Sequence, residues 1–304
     1  MKVAVTGASG FVGSALVRSL ADDGHAVVRL VRREPSGPDE RRWDPSGGPV
    51  DLAGVDAVVH LAGAGIGDRP WTPRYRRTIL LSRVQGTSTI ARAVAKAEVP
   101  VLVSGSAMGF YGDTGDREVD EESPSGAGFL AGVVRAWEDA AAPASRAGAR
   151  VAFARTTHVL GASGGLLGKL LPLYKLGLGG RLGSGRQYWS WISLTDEVAA
   201  LRFLIDTDLS GPVNLASPNP VTNAEFTRAL GRALHRPTPL PVPAFALRTV
   251  LPGFAAEAIL PGQRVVPRRL TEAGFHHTDP ELGAALPRIF KNTSRDDRGP
   301  YGDR

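Results

Sequence analysis

The chain contains no cysteine, which excludes disulfides, thiolate metal sites and cysteine nucleophiles together. Lysine is scarce as well: of 36 basic residues only Lys2, Lys96, Lys169, Lys175 and Lys291 are lysines, so chemistry that needs an ammonium has few places to reside. No apolar run reaches membrane-spanning length, and Met1-Lys2 leads directly into a β-branched strand rather than into a secretory leader. The expectation is a cytoplasmic protein with no membrane partner, in which the sequon Asn292-Thr293-Ser294 is coincidental. A long basic run is also missing. The formal charge of +6 comes mainly from arginines scattered singly or in pairs, so nucleic acid is not an expected partner, and no metal site is expected.

What the sequence does have is a distinctive start. The apolar run Val3 to Val5 passes through Thr6-Gly7-Ala8-Ser9-Gly10-Phe11-Val12-Gly13 into a helical pattern. A strand turning through glycines into a helix is the context in which this spacing makes a dinucleotide site. Gly7 permits the tight turn, Gly10 lets the backbone approach a pyrophosphate, and Gly13 allows the helix to pack closely on the sheet. The open amides of the helix start then face the phosphates. Thr6, Gly7, Ser9, Gly10, Phe11, Val12 and Gly13 are therefore candidate cofactor-binding residues.

Beyond this turn, apolar runs predict strands at His25–Val31, at a short segment ending near Trp43-Asp44, at Ala57–Leu61, at Val101–Ser104 and at Val151–Thr156. Helical patterns fall at Arg74–Ala97 and Phe129–Ala147. Strand and helix alternate, which predicts an α/β fold: a Rossmann-like, doubly wound parallel sheet with helices on both faces. The second half reads differently, with glycine-rich segments around Leu166–Leu178, four prolines between Pro237 and Pro243, and short helical patterns at 223–234, 245–251 and 279–289. This predicts a small, mainly helical C-terminal cap. The expected division is 1–164 with 195–216 for the dinucleotide-binding domain and 165–194 with 217–291 for the substrate-binding cap. The polar tail 292–304 is expected to be disordered.

Several segments together carry a family resemblance: the glycine octet, His60-Leu61-Ala62-Gly63-Ala64, Ser104-Gly105-Ser106-Ala107-Met108-Gly109-Phe110-Tyr111-Gly112-Asp113, the stretch Gly179–Gln187, Trp191-Ile192, Asn214–Phe226 and Gly262–Pro267. On these the chain resembles an atypical extended short-chain dehydrogenase/reductase of the epimerase-like branch, within the NAD-dependent epimerase/dehydratase superfamily, over about residues 1 to 290. The resemblance implies cofactor contacts at Leu61, Ala62, Gly63, Ala64, Ser104 and Thr156, and a strand-end serine at Ser106 that holds a substrate oxygen. It also implies a tyrosine four residues before a lysine, whose ammonium helps to lower the phenol pKa so that the phenolate can take a hydroxyl proton. That pair is missing here. The residues four places before the lysines are Arg92, Gly165, Leu171 and Pro287, and the matching helix offers Phe129 and Val133. Tyr111 is the nearest substitute phenol, so Ser106 and Tyr111 stand as the candidate catalytic residues.

At the adenosine end, Arg32 and Arg33 follow the second strand where an NAD site would place an acidic residue. Two guanidiniums suit a 2′-phosphate, so NADP(H) is favoured over NAD(H), with a solvated basic turn as the bland alternative. Asp44 either approaches the adenine or opens a turn before Pro45. His158 is a proton shuttle or a structural imidazole, Trp189 and Trp191 form a ligand surface or an inter-domain seam, and Asp196-Glu197 complement a helix start. Two functions fit: an NADP(H)-dependent oxidoreductase or epimerase-like enzyme acting on an unknown small molecule, or a non-catalytic NADP(H)-binding regulatory or redox-sensing protein. A homodimer through the two long helices is compatible with either.

Overall fold

Apolar runs such as Val3–Val5 and Ala57–Val59 are stable as strands only where both sheet faces are covered, and the chain meets that demand with helices on either side. A computed structural model describes residues 1–296. It begins β1 (Lys2–Thr6), α1 (Phe11–Asp22), β2 (Ala26–Val31), β3 (Glu40–Arg42), β4 (Ala57–His60), α2 (Pro73–Lys96) and β5 (Val101–Ala107). A 3-10 turn at Met108–Tyr111 leads to β6 (Glu118–Val119), α3 (Phe129–Asp139), α4 (Ala142–Arg146), β7 (Arg150–Thr156), β8 (His158–Gly161) and α5 (Gly165–Lys175). Then follow β9 (Tyr188–Trp189), β10 (Trp191–Ser193), α6 (Leu194–Asp206), β11 (Gly211–Leu215), β12 (Val221–Thr222) and α7 (Asn223–Ala233). The chain continues through α8 (Ala244–Val250), a π turn at Ala255–Ile259, β13 (Arg264–Val265), α9 (Arg268–Glu272) and α10 (Leu282–Asp296).

The main sheet has the order β11-β7-β5-β4-β1-β2-β3, and every pairing in it is parallel. Strand order reverses between β1 and β4, which opens a crevice at their C-terminal ends. One core, around Val5, Leu16, Val59, Ile192 and Leu201, lies on the face covered by α1 and α6; the other, around Val58, Ile90, Val94 and Leu102, lies beneath α2 and α4. A third cluster, with Leu167, Trp189, Trp191, Phe226 and Leu286, joins α5, α7 and α10 into the helical C-terminal region.

Two local expectations change. The helix expected over 129–147 divides into α3 and α4, because Pro143 has no N–H to give the carbonyl four residues earlier and is instead at home in a first helical turn. The third strand ends at Arg42, before Trp43, whose side chain is buried against α2 instead. α10 extends to Asp296, and residues 297–304 of the expected tail lie outside the described residues.

Candidate cofactor and active site

The turn after β1 is shaped by what glycine omits. Gly7 has φ +67°, and a Cβ on Gly13 would stand 2.1 Å from the Gly7 carbonyl oxygen, so α1 packs on the turn only because position 13 has no side chain. Gly10 caps α1 without a side-chain hydrogen bond, and the first turn has no acidic residue. The first intrahelical bond is Ser14 N–H to the Gly10 carbonyl, which leaves the amides of Phe11, Val12 and Gly13 ahead of it at the positive helix end. Ser9 and Gly10 are exposed at the rim, and the Phe11 ring fills the space against Gly161, Gly164 and Gly165. Donor chemistry and shape both fit a pyrophosphate.

Thr6 departs from the expected role. Its hydroxyl oxygen accepts from Leu61 N at 3.0 Å and Ala62 N at 3.2 Å, so its own proton goes to His60 Nδ1 at 2.8 Å. Thr6 thus fixes the loop after β4 rather than facing a ligand. His60 is fully buried, edge-on to Trp43 at 5.7 Å, and burial pulls it down to about 4, so the imidazole stays neutral. Beyond Thr6, Gly63 is bare backbone, Ala64 N donates to Ser82 Oγ, and Leu61 and Ala62 pack against the two cores.

The two arginines after β2 part company. Arg33 donates through Nη1 and Nη2 to both oxygens of Glu40, at 2.8 and 2.7 Å, and this pairing together with Ser36 holds the Glu40 carboxyl at about 2. Its fork is therefore engaged by a carboxylate of the protein itself. Arg32 is exposed with no partner among the described residues. Asp44 is likewise engaged: its Oδ1 accepts from Ser46 N and Oγ, making the turn that the Asp-Pro sequence permits.

The candidate catalytic residues lie in one buried polar chain. Ser106 donates to Glu138 Oε1 at 2.6 Å, and Glu138 also holds Arg155 through Nε at 2.8 Å and Nη2 at 2.9 Å. Arg155 Nη1 reaches the Tyr111 oxygen at 3.1 Å, and that phenol donates to Asn214 Oδ1 at 2.7 Å. Burial pushes Tyr111 up to about 12 in spite of Arg155, so it is a poor proton source at neutral pH. Ser106, its proton given to Glu138, can accept but not donate; a substrate carbonyl needs a donor. In this arrangement the Ser106 and Tyr111 protons are both engaged within the protein. Ser104 is wholly buried and donates to the Gly105 carbonyl, so it too is removed from ligand.

Thr156 points to the opposite face of the sheet and donates to Glu197 Oε1 at 2.8 Å. Glu197 sits in the first turn of α6, is fully buried and has an unpartnered Oε2; burial raises it to about 8, so it is largely neutral. Dipole complementation alone would have left it charged and exposed. Asp196 beside it accepts from Thr278 N and Asp279 N, tying α6 to the loop before α10. His158 is lowered by burial to about 4 and packs 5.3 Å from Trp189, which favours the structural reading. Trp189 and Trp191 belong to the third core cluster and give their indole protons to Ile259 and Asn219 carbonyls. They form a seam, not a ligand surface.

The α2–α3 contact carries residues the sequence reading missed. Phe129, Val133 and Trp137 repeat at four-residue spacing on one side of α3, and Arg76 and Arg83 lie seven apart on the facing side of α2. Arg76 stacks 4.3 Å from the Phe129 ring centre and Arg83 4.9 Å from that of Trp137. Trp71 stands edge-on both to Phe129 and to Phe254. Glu257, from the π turn, accepts from Phe129 N and Leu130 N and so caps α3 from across the crevice. The helical i, i+4 spacing was visible in sequence; the partners were not.

A parallel sheet reversing at a glycine cradle defines a dinucleotide-binding protein of the Rossmann type. Residues 3–216 match the NAD dependent epimerase/dehydratase family, and residues 242–289 match a domain of unknown function, DUF1731. The chain belongs to the NAD dependent epimerase/dehydratase family. It is 50% identical over 288 residues to the epimerase family protein Mb2239 of Mycobacterium bovis, covering 93% of this chain and 96% of that one. With the human epimerase family protein SDR39U1 it shares 38% over 297 residues, covering 95% and 99%. The crystal structure of human SDR39U1 (isoform 2) with NADPH superposes at a TM-score of 0.88, with 35% identity over 96% of this chain and 100% of that one. A nucleoside-diphosphate sugar epimerase from Corynebacterium glutamicum gives 0.79 at 36% identity, covering 98% of this chain and 61% of that one. Among the described residues no helix is long and apolar enough to cross a membrane, and no metal-ligand cluster occurs.

Proposed function

We propose that this protein binds NADP(H) across the β1–β4 crevice and serves hydride exchange with a small-molecule substrate, without a side-chain acid or base at the α3 positions. The observation that carries the reading is the open amide cradle of Gly7–Gly13, with Arg32, unpartnered among the described residues, just past the neighbouring strand β2. The NADPH in the human SDR39U1 structure supports it. Bound there, the cofactor would supply the hydride. The chain's own groups hold the phosphates. The substrate's proton then comes from solvent or from the substrate itself, since Tyr111 holds its proton too tightly and Ser106 has already donated its own. Sugar epimerisation, suggested by the family name, needs a base that oxidises a ring hydroxyl reversibly, and Phe129 and Val133 provide none.

A second reading, a non-catalytic NADP(H) sensor, draws on the same sequestration of Ser106 and Tyr111. One experiment separates the two. Calorimetric titration should show NADPH binding more tightly than NADH, and NADPH deuterated at C4 is then offered with aldehydes, ketones, quinones and sugar nucleotides. Stereospecific deuterium transfer to any acceptor supports the enzyme. Tight binding with no transfer across the panel supports the sensor, and absence of NADPH binding sinks both.

A further inference from the structure

Arg83, beside the loop after β4, has no carboxylate partner among the described residues. It lies mid-way along α2, partly buried, and its Nη1 donates to the Ala64 carbonyl at 2.9 Å and the Ile79 carbonyl at 3.2 Å. Its Nε and Nη2 donate to no acceptor among the described residues. Burial lowers it to about 10, which still leaves it cationic at neutral pH. Arg155, comparably interior, differs in having both Glu138 oxygens as counter-ion. Burial of an arginine without an anion is unfavourable unless the site receives one.

Its position indicates which anion. A Cβ on Gly63 would stand 3.5 Å from the Arg83 guanidinium carbon, so the charge lies against the backbone just past the end of β4. β4 is the first strand beyond the switch point, on the β5 side, whereas Arg32 lies past β2 on the other side. A dinucleotide laid across the crevice with its 2′-phosphate at Arg32 and its pyrophosphate at α1 carries its other half over β4 and β5. Trp137, packed on Gly105 of β5, holds the guanidinium in place by stacking. A planar guanidinium whose Nε and Nη2 remain unengaged among the described residues suits phosphate or ribose oxygens.

We infer that Arg83 anchors the nicotinamide mononucleotide half of bound NADP(H), supplying from α2 the positive charge that α3, with Val133, does not. The inference rests on the NADP(H) reading above.

Two probes divide the cofactor: NADPH, and adenosine 2′,5′-bisphosphate, which carries only the adenosine half. In calorimetric titrations Arg83→Met should weaken NADPH about tenfold or more and leave the bisphosphate within about twofold; Arg83→Lys should recover part of the loss. Equal weakening of both ligands would show that Arg83 merely pins the loop through Ala64, and no weakening of either would show that it touches neither; both overturn the inference. Arg83→Gln, which removes the charge but keeps a polar amide donor, replaces the methionine variant if that variant fails to melt cooperatively. If the unaltered protein binds neither probe, the NADP(H) reading itself falls. If it binds both and only the Arg83 pattern fails, that reading stands alone.

Discussion

The turn from β1 to α1 and the segment from β5 to α3 border the same crevice but treat their polar groups in opposite ways. In the first, three glycines remove side chains and leave backbone amides facing outward; a pyrophosphate would be their natural acceptor. In the second, Ser106, Glu138, Arg155, Tyr111 and Asn214 satisfy one another within the protein. The contrast teaches that a site can keep the form of its family's chemical centre while its hydrogen bonds serve the fold. Donors that are free remain available to a ligand; donors already engaged do not.

The largest expected effect tests the closed side. Arg155→Met leaves Glu138 without its counter-charge, and breaking such an interior pair costs about 3–5 kcal/mol. Chemical denaturation reads it directly, and a loss below about 1 kcal/mol would mean that the chain of bonds is solvated and the contrast false. On the open side, Gly13→Ala drives a Cβ toward the Gly7 carbonyl and should weaken NADPH by about a hundredfold, roughly 2.7 kcal/mol. Unchanged binding in calorimetry would show that the cradle is not the phosphate site.

Glu197 sharpens the contrast through pH. Its folded value of about 8 lies above the ordinary carboxylate value of 4.5, so the unfolded chain releases this proton first as pH rises. The stabilisation is therefore complete below about 4.5 and is lost progressively toward about 8, with a slope of at most about 1.4 kcal/mol per pH unit. Glu197→Gln should flatten that decline in denaturation measured across the window; a slope identical to that of the parent would contradict a buried neutral acid. The smallest effect separates the two arginines after β2. Arg32→Ala should weaken NADPH about tenfold, near 1.4 kcal/mol, with NADH unchanged. Arg33→Ala should alter the NADPH/NADH ratio less, because its guanidinium is held by Glu40.

Legibility in the sequence followed the range of the interactions. The glycine turn was readable because its requirement is local: Gly13 meets the backbone only six residues away. The missing tyrosine and lysine were readable for the same reason, since their spacing is fixed by one helical turn. The partner of Ser106 was not readable, because Glu138 stands 32 residues away on another element, and Arg155 comes from a third. In sequence Glu197 reads as a helix-start carboxylate; only the packing of α6 over β7 buries it beside Thr156. Arg32 and Arg33 are adjacent in sequence, yet one has a carboxylate waiting at the start of β3 and the other has none.

By itself the sequence determined the alternation of strand and helix, the glycine cradle and the lack of an acid–base pair at Phe129 and Val133. These depend on periodicity and on which side chains exist at all, both properties of the chain. The tertiary structure decided which of the remaining polar groups are free: it gave the Ser106 proton to Glu138, placed Tyr111 beyond easy ionisation, divided Arg32 from Arg33 and left Arg83 without an anion. Hydrogen-bond partners and burial are set by elements distant along the chain, and those come together only when the sheet and its two helical layers close.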